Sequence, residues 1–505
     1  MPRPTRPIRR LAAALTLLVA GGAPAAAQSV TLKTVPVPTG EQFLVFPSAN
    51  LGWGGLHVAS DDPLLDPFLN PARGSRVEGF SLSTSPTFYG AHDESVGGRT
   101  LPLTVVGGGE VWFGTLSFAL QQLHDPLRRN FPWLQRELAD GQPLIQDDAS
   151  DNSYVQLSLG RRLGDRTSVG ASVYYADLGA VDGVNRLYAR SVSIAQQGEL
   201  MELRAGLLRT LDRGRTFEAT VSRSNFDMTH DVHYLEWWWQ RPGGAADPPQ
   251  PGEPEFRSWT ELNEDRTETW GARLRYTHPL PDRDLTLGAV VTAATKAHPR
   301  IPNYDIVNIP RDPGNSTVFN LGVGLEKRDG PVRFGAQLVF APGRSHTWAF
   351  ADTTVVTASG DTLRTGDETV DNRFRYGSWQ LGVGLDRTGE KAGFQLGLSV
   401  YQYRYRLRQE NYLADQRRDT REGWIEWSPS WGGTVRLGSL DLRYAGTFVA
   451  KGFPPLGWFG GVEQALDVPS QGGVDFIPAP TEPVSFPDFR VTTHRITVSV
   501  PLGSS

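Results

Sequence analysis

The sequence FNLGVGLEKRDGPVRFGAQLVF, which runs from Phe319 to Phe340, alternates between apolar and polar or small residues on both sides of a short Lys-Arg-Asp-Gly segment. A period of two indicates a β-strand with one apolar face. Asp and Gly together favour the backbone conformations of a tight hairpin turn. The stretch therefore predicts a β-hairpin, whose second strand has its apolar residues at Val332, Phe334, Ala336, Leu338 and Phe340.

The same hairpin design recurs along the chain, for example from Trp379 to Val400 with Asp-Arg-Thr-Gly in the turn. Other short turns are predicted at Arg162 to Asp165, Leu211 to Gly214, His278 to Asp282 and Leu437 to Ser439. Long polar segments separate the hairpins: Gln122 to Asn152, Phe226 to Arg266, Lys296 to Ser316, Ala341 to Asn372, Arg408 to Trp427 and Ala450 to Arg490. Short connections on one side and long loops on the other are typical of bacterial outer-membrane barrels.

Composition agrees with this class of protein. Only 39% of the residues are hydrophobic and the net charge is -5, so neither a helical membrane span nor a basic surface for nucleic acid is indicated. Yet the chain carries 14 Trp, 14 Tyr, 23 Phe and 55 Gly. A transmembrane barrel reconciles these facts, because only every second residue faces lipid and aromatic residues gather at both interfaces.

The predicted fold is an all-β, transmembrane antiparallel β-barrel of about sixteen strands, with fourteen as the alternative. Its last strand is VTTHRITVSVPL, in which Ile496, Val498 and Val500 face lipid while Arg495 faces inward. This strand is expected to pair with the first strand, because lipid does not tolerate an open sheet edge.

The N-terminus predicts export. Four arginines precede the apolar run Leu11 to Ala20, and small residues follow up to Ala27. This is the three-part pattern of a secretory signal peptide. We therefore expect residues 1–27 to be the signal peptide, 28–76 an N-terminal periplasmic or hatch-like segment, and 77–505 a barrel in the bacterial outer membrane. The chain has no Cys, so no lipidation cysteine follows the cleavage site.

The segment GWGGLHVASDDPLLDPFLNPARG, Gly52 to Gly74, carries a motif before the first strand. It contains a glycine pair, an alanine, an acidic pair and Asn-Pro-Ala, at Gly54, Gly55, Ala59, Asp61, Asp62, Asn70, Pro71 and Ala72. This order resembles the N-terminal signature of the FadL and PorV-like outer-membrane barrels, although Arg73 intervenes where that family continues with Gly. The resemblance implies a small hatch inside the barrel mouth, with transport of hydrophobic compounds in the fatty-acid branch. An ordinary exported linker is the alternative.

The motif also has a physical interpretation of its own. Asp61 and Asp62 are expected to accept backbone hydrogen bonds in a turn, and Asn70 is a residue that tolerates a left-handed kink. Pro63, Pro67 and Pro71 restrict the backbone conformation of this segment.

Several charged residues are predicted to line the lumen, because they alternate with apolar residues on the same strands. A charge on the lipid face would cost roughly 2 to 4 kcal/mol near the midplane. Two interpretations remain open, a conduit lined by cations and a salt-bridged network around a plug. The residues are Glu218, Arg273, Arg275, Arg333, Asp441, Arg443 and Arg495.

The longest hairpin is predicted to rise above the membrane as a two-stranded arm, from Phe226 to Gln240 and from Phe256 to Trp270, with its tip at Arg241 to Pro254. Its extent exceeds the ~10 residues that a membrane strand needs. Trp237, Trp238 and Trp239 then form either an exposed contact platform or part of the interfacial aromatic belt.

Signals for chemistry are weak. No Gly-x-Ser-x-Gly sequence is present, and His230 and His233 lack a third metal ligand nearby, so we predict no enzyme activity, metal or cofactor. Two functions remain: an outer-membrane channel or transporter for hydrophobic or small anionic solutes, and a non-transporting barrel that serves as a surface scaffold or secretion-system component. The expected partners are outer-membrane lipid, lipopolysaccharide and the barrel assembly machinery, and a small hydrophobic solute or a secretion-system partner, but not nucleic acid.

Overall fold

The computed structural model describes residues 31–32, 35–36, 42–43, 45–92, 97–124, 149–182, 191–239, 254–298, 314–351, 354–451 and 490–502. In these residues sixteen antiparallel strands close into one barrel, as predicted. In chain order they are β1 (Gly79–Thr84 and Thr87–Ala91), β2 (Gly97–Gly108), β3 (Trp112–His124), β4 (Ala149–Arg162), β5 (Thr167–Leu178), β6 (Ser191–Thr210), β7 (Thr216–Trp239), β8 (Pro254–Leu280), β9 (Leu285–His298), β10 (Gly314–Asp329), β11 (Val332–Phe350), β12 (Glu368–Thr388), β13 (Ala392–Asn411), β14 (Gln416–Leu437), β15 (Leu440–Lys451) and β16 (Arg490–Leu502).

The barrel closes between its first and last strands. β16 pairs with both pieces of β1, through Val498↔Thr84 on one side of a break and Arg495↔Thr87 on the other. Ser85 and Pro86 form the break. Proline has no amide hydrogen to donate to the ladder, so the interruption is local. The expected pairing of the C-terminal strand with the first strand is confirmed.

The two faces of the wall have opposite chemistry. On β4, Leu157 and Leu159 are 56% and 60% exposed, whereas Gln156 and Ser158 between them are buried. A wall that is apolar outside and polar inside is the inverse of a water-soluble protein, and it suits a barrel surrounded by lipid. Among the described residues no helix has the length and apolarity to span a membrane.

The short turns lie where the sequence predicts them. Gly164, Gly330 and Gly438 have φ of 78°, 56° and 64°, which only glycine adopts without strain. All three join neighbouring strands at the same end of the barrel, which we call the short-turn end.

The opposite end differs from the prediction at two of the long polar segments. Within Ala341 to Asn372, β11 continues to Phe350 and β12 begins at Glu368, and the connection holds a small hairpin of Val355–Val356 and Thr362–Leu363. The segment Arg408 to Trp427 was expected to be a loop, but β13 continues to Asn411 and β14 begins at Gln416, with every residue between Arg408 and Asn411 paired. The prediction was wrong because it relied on alternating hydrophobicity. Strands that continue beyond the apolar belt keep their backbone ladder and lose that alternation, since lipid no longer selects one face.

β7 and β8 extend as a ribbon beyond their neighbours. Their pairing reaches Trp239↔Pro254, whereas β6 ends opposite Tyr234 and β9 ends opposite Glu268. The predicted arm therefore consists of two paired strands. Its tip lies outside the described residues, as do the side chains of Trp237, Trp238 and Trp239.

Candidate functional site

Residues 42–43 and 45–78, called here the inner segment, pack against the inner face of the barrel. Near the short-turn end, inward-facing glycines leave room for its backbone. A Cβ added at Gly170 would lie 2.8 Å from the carbonyl carbon of Pro71, and one at Gly288 would lie 2.5 Å from the Cα of Ala59. Such separations are too short for real Cβ atoms, so these glycines form a close fit around the segment.

Three short helical turns shape the inner segment: Leu51–Trp53, Asp66–Leu69 and Pro71–Arg76. Asp62 connects the residues that precede the first two turns. Its carboxylate accepts hydrogen bonds from the Ser48 hydroxyl at 2.6 Å and from the Ala49 amide at 2.9 Å, and also from the Leu64 and Leu65 amides. The predicted role of Asp62 as a backbone acceptor is therefore confirmed, and this residue fixes two stretches of the segment to each other.

Asn70 does not use the left-handed kink that this residue type tolerates. It has φ of -133° and ψ of 105°, so it is extended rather than left-handed. Its side-chain oxygen accepts a hydrogen bond from the Ala72 amide, and its NH2 group donates to the Leu207 carbonyl and to Glu218, each at 3.2 Å. The side chain has no need of a left-handed backbone, because it satisfies its hydrogen bonds as a cap and as a bridge to the wall.

A buried ionic cluster joins the inner segment to β7 and β8. Glu218 accepts from Arg73 Nε at 2.7 Å and from Arg275 Nη1 at 2.9 Å, and both its carboxylate and the Arg275 side chain are 1% exposed. Arg73 also pairs with Asp66, and Asp61 pairs with both arginines. Asp61 thus bonds to arginines instead of to the turn amides predicted for it.

Burial and charge shift the protonation of the segment. Burial, together with the positive charge of Arg273, lowers the pKa of His57 to about 4. Burial raises the pKa of Asp61, but the arginines around it outweigh this and hold that pKa well below its usual range. Burial raises the pKa of Asp66 to about 6 against the attraction of Arg73. Near neutral pH Asp61 is therefore ionised and the imidazole of His57 is uncharged.

The other predicted lumen residues lie around the same segment. The guanidinium of Arg333 lies 4.6 Å from the ring centre of Trp53 and pairs with Asp386. Arg495 donates to the Phe46 carbonyl at 2.9 Å. Arg443 pairs with Asp441 at 3.2 Å and lines a small cavity beside Ser48.

Sequence reasoning missed Arg73 as a functional residue, because it appeared only as a departure from the family signature. The available signal was its place within a run that holds Asp61, Asp62 and Asp66. An arginine that is 3% exposed requires carboxylate partners, and these were nearby in the sequence.

Apolar side chains cluster inside the barrel, on the faces of β4, β5 and β7 that point away from lipid. Tyr154 and Tyr174 stack with ring centres 6.3 Å apart, and Phe46 packs on Phe68 at 4.6 Å. The cluster continues through Phe43, Val45, Ala119, Ala176, Leu178, Val181, Phe226, Met228, Val232 and Tyr234. These side chains are buried against one another and against Phe43 and Val45 of the inner segment, so they form an apolar core inside a barrel, where lumens are usually polar. In the described residues no three His, Asp or Glu side chains are grouped as metal ligands.

Comparisons with known proteins return only distant structural likenesses. No protein-family model matches the chain, and no curated protein matches its sequence. The copper transporter OprC has a TM-score of 0.39 at 12% identity over 74% of this chain, which spans 62% of the length of OprC. A Pseudomonas aeruginosa FadL homologue has a TM-score of 0.39 at 12% identity. The match covers 90% of this chain and 98% of the homologue. The Ralstonia pickettii toluene transporter TbuX has a TM-score of 0.38 at 12% identity, covering 90% and 97%.

Proposed function

We propose that this protein is an outer-membrane channel for small hydrophobic solutes, in which the inner segment acts as a hatch at the short-turn end. The observation that carries the proposal is the apolar and aromatic cluster on the inner face of the wall, which includes Tyr154, Tyr174 and Met228. In the docked state the cluster is buried, partly against Phe43 and Val45 of the inner segment. Release of the segment would expose an apolar surface, and such a surface favours the transfer of an apolar solute from water. A wide polar pore would instead be lined by polar side chains.

The hatch role is supported by how the inner segment is held. In the described residues it is held by side-chain contacts and not by strand pairing with the barrel. These contacts are the buried ion pair of Arg73 with Glu218, hydrogen bonds such as those of Asn70 and Arg495, apolar packing and a close steric fit. A segment held in this way can detach as a unit while the sixteen strands keep their ladder.

A second candidate is a non-transporting barrel that serves as a scaffold or secretion-system component. The same inner segment favours it, because buried contacts at Asn70, Arg73 and Trp53 fill the lumen near the short turns. The two candidates differ in whether any solute passes.

Solute uptake separates them. Intact cells that display the barrel should accumulate a radiolabelled single-ring hydrocarbon faster than cells without it, while uptake of a disaccharide should not change, because the apolar interior favours the first solute alone. Uptake of neither solute would favour the scaffold. Uptake of the disaccharide alone would contradict the proposed specificity.

Orientation can be tested independently. Because short turns face the periplasm in this class of barrel, a protease-sensitive tag inserted within Gly244 to Glu255 should be cleaved on intact cells. The same tag at Asp329 should be protected until the outer membrane is permeabilised. The opposite pattern of cleavage would show that the barrel is inserted the other way round.

A further inference from the structure

Four neighbouring strands carry aligned residues on their lipid-facing side. On β11, β12, β13 and β14, the outward residues form cross-strand rows that are directly opposite one another. The rows nearest the short turns are mainly apolar. After a first row of Val332, Arg387, Phe394 and Gly433, the rows are Phe334, Leu385, Leu396 and Trp431; Ala336, Val383, Leu398 and Pro429; Leu338, Leu381, Val400 and Trp427; and Phe340, Trp379, Gln402 and Ile425.

In the second row beyond the row of Phe340, further from the short turns, every residue is an arginine. Arg344 is opposite Arg375, Arg375 is opposite Arg406, and Arg406 is opposite Arg421. Like charges directly opposite each other on a sheet are destabilising. A row of four arginines is therefore unfavourable unless an anion lies over it.

The protein itself supplies little compensating charge. Of the four arginines only Arg406 has a carboxylate partner in the described part of the chain, which is Asp419. From the row of Arg404 to the row of Arg417, eight outward arginines face three outward carboxylates, an excess of five positive charges in a chain whose net charge is -5. The flanking residues on β10, Thr317 and Asn315, are neutral. The arginines are Arg344, Arg373, Arg375, Arg404, Arg406, Arg408, Arg417 and Arg421, and the carboxylates are Asp371, Glu410 and Asp419.

The height of the row identifies the anion. Arg344 follows Phe334 by ten residues on β11, which corresponds to roughly 25 Å along the membrane normal for a strand with the usual rise and tilt. The apolar band of an outer-membrane barrel is about as tall. The Phe340 and Trp379 rings, 4.4 Å apart, lie just below the arginines at the level of an aromatic girdle. The guanidinium groups thus lie at the level of the lipid headgroups, on the side of the long loops.

We propose that the surface formed by Arg344, Arg375, Arg406 and Arg421 binds the phosphorylated headgroup of lipopolysaccharide in the outer leaflet. Planar guanidinium groups form paired, charge-assisted hydrogen bonds with phosphate oxygens. The row crosses three strand spacings, roughly 14 Å, so a disaccharide headgroup with a phosphate at each end can place the two phosphates on different arginines of the row, while its acyl chains lie along the apolar rows beneath. The proposal rests on the outer-membrane placement of the barrel and is independent of solute transport.

The test uses the purified full-length barrel in detergent and measures binding of bisphosphorylated lipid A. The variant Arg344→Gln/Arg375→Gln/Arg421→Gln removes the three arginines without a carboxylate partner. It should bind lipid A roughly tenfold more weakly or worse, because each charge-assisted contact to phosphate is lost. The matched control Arg161→Gln/Arg209→Gln/Arg387→Gln removes three exposed, outward arginines at the short-turn end. Its affinity should stay within about twofold of the parent, as expected for exposed charges away from the site.

Binding of three other ligands to the parent barrel shows which kind of phosphate the arginines recognise. Lipid A without phosphates should bind the parent barrel weakly. Its affinity should not exceed the affinity of bisphosphorylated lipid A for the triple variant. Phosphatidylglycerol and inorganic phosphate should both bind more weakly than bisphosphorylated lipid A. Unchanged binding by the triple variant, equal binding of lipid A without phosphates, or equal binding of phosphatidylglycerol would each overturn the proposal.

Two further measurements keep the outcome interpretable. Heat-modifiable electrophoretic mobility reports whether each variant is folded, and if the triple variant is not, Arg375→Gln alone should weaken binding in the same direction. Hydrocarbon uptake should be unchanged in the triple variant, so failure of the lipid proposal and failure of the channel proposal give different results.

Discussion

Replacing Glu218 with Gln should release the inner segment and raise the ion conductance of the barrel. Glu218 is the carboxylate shared by Arg73 and Arg275, and all three are buried. Removing one partner of a buried ion pair costs about 3 to 5 kcal/mol, because the remaining charge stays desolvated. That free energy corresponds to a shift of more than about a hundredfold in the equilibrium between docked and released segment.

Single-channel recording in planar bilayers measures this shift as an increase in open probability. Asp212→Asn is the matched control, because Asp212 pairs with Arg166 at the same end of the barrel with both side chains exposed. An exposed pair contributes about 0 to 1 kcal/mol, so the control should behave as the parent. A barrel lacking residues 48–66 should also conduct more than the parent, and it serves as the reference. Parent-like conductance in Glu218→Gln, with this reference open, would show that the cluster does not hold a hatch.

Replacing Gly288 with Ala should displace the inner segment by steric conflict alone. The new Cβ would lie 2.5 Å from the Cα of Ala59 and 2.6 Å from the carbonyl carbon of Val58, and both are backbone atoms that cannot rotate away. Overpacking of this kind typically costs 1 to 3 kcal/mol, so exposure of the segment should rise by roughly fivefold to a hundredfold.

The absence of Cys from the chain makes the measurement simple. In a Ser60→Cys background, the thiol replaces a side chain that is 2% exposed, and its labelling rate by a maleimide reports release of the segment. Gly377→Ala is the control, because a Cβ there meets no atom within 4 Å. Equal labelling rates in the two variants would contradict the close fit between β9 and the inner segment.

The sequence by itself was sufficient to predict the barrel, its strand number and its closure. The lipid that surrounds the wall explains why these predictions succeeded. Lipid requires one apolar face on every strand, and this imposes a period of two that can be recognised locally, as between Val332 and Phe340. Glycine at the tight turns, such as Gly330, is also a local requirement, because it depends only on the backbone conformation there. The same rule explains the error at Arg408 to Trp427, where the strands extend beyond lipid and the local signal ends.

The tertiary structure alone decided which distant residues meet. Arg73 and Glu218 are 145 positions apart, and their contact depends on where the inner segment docks in the closed barrel. The alignment of Arg344, Arg375, Arg406 and Arg421 depends likewise on the register of four strands, since a shift by one residue would turn a side chain to the other face. Hydrophobic alternation shows which face a residue occupies. It does not show which residue lies opposite, because register is set by the turns and by the closure of the whole sheet.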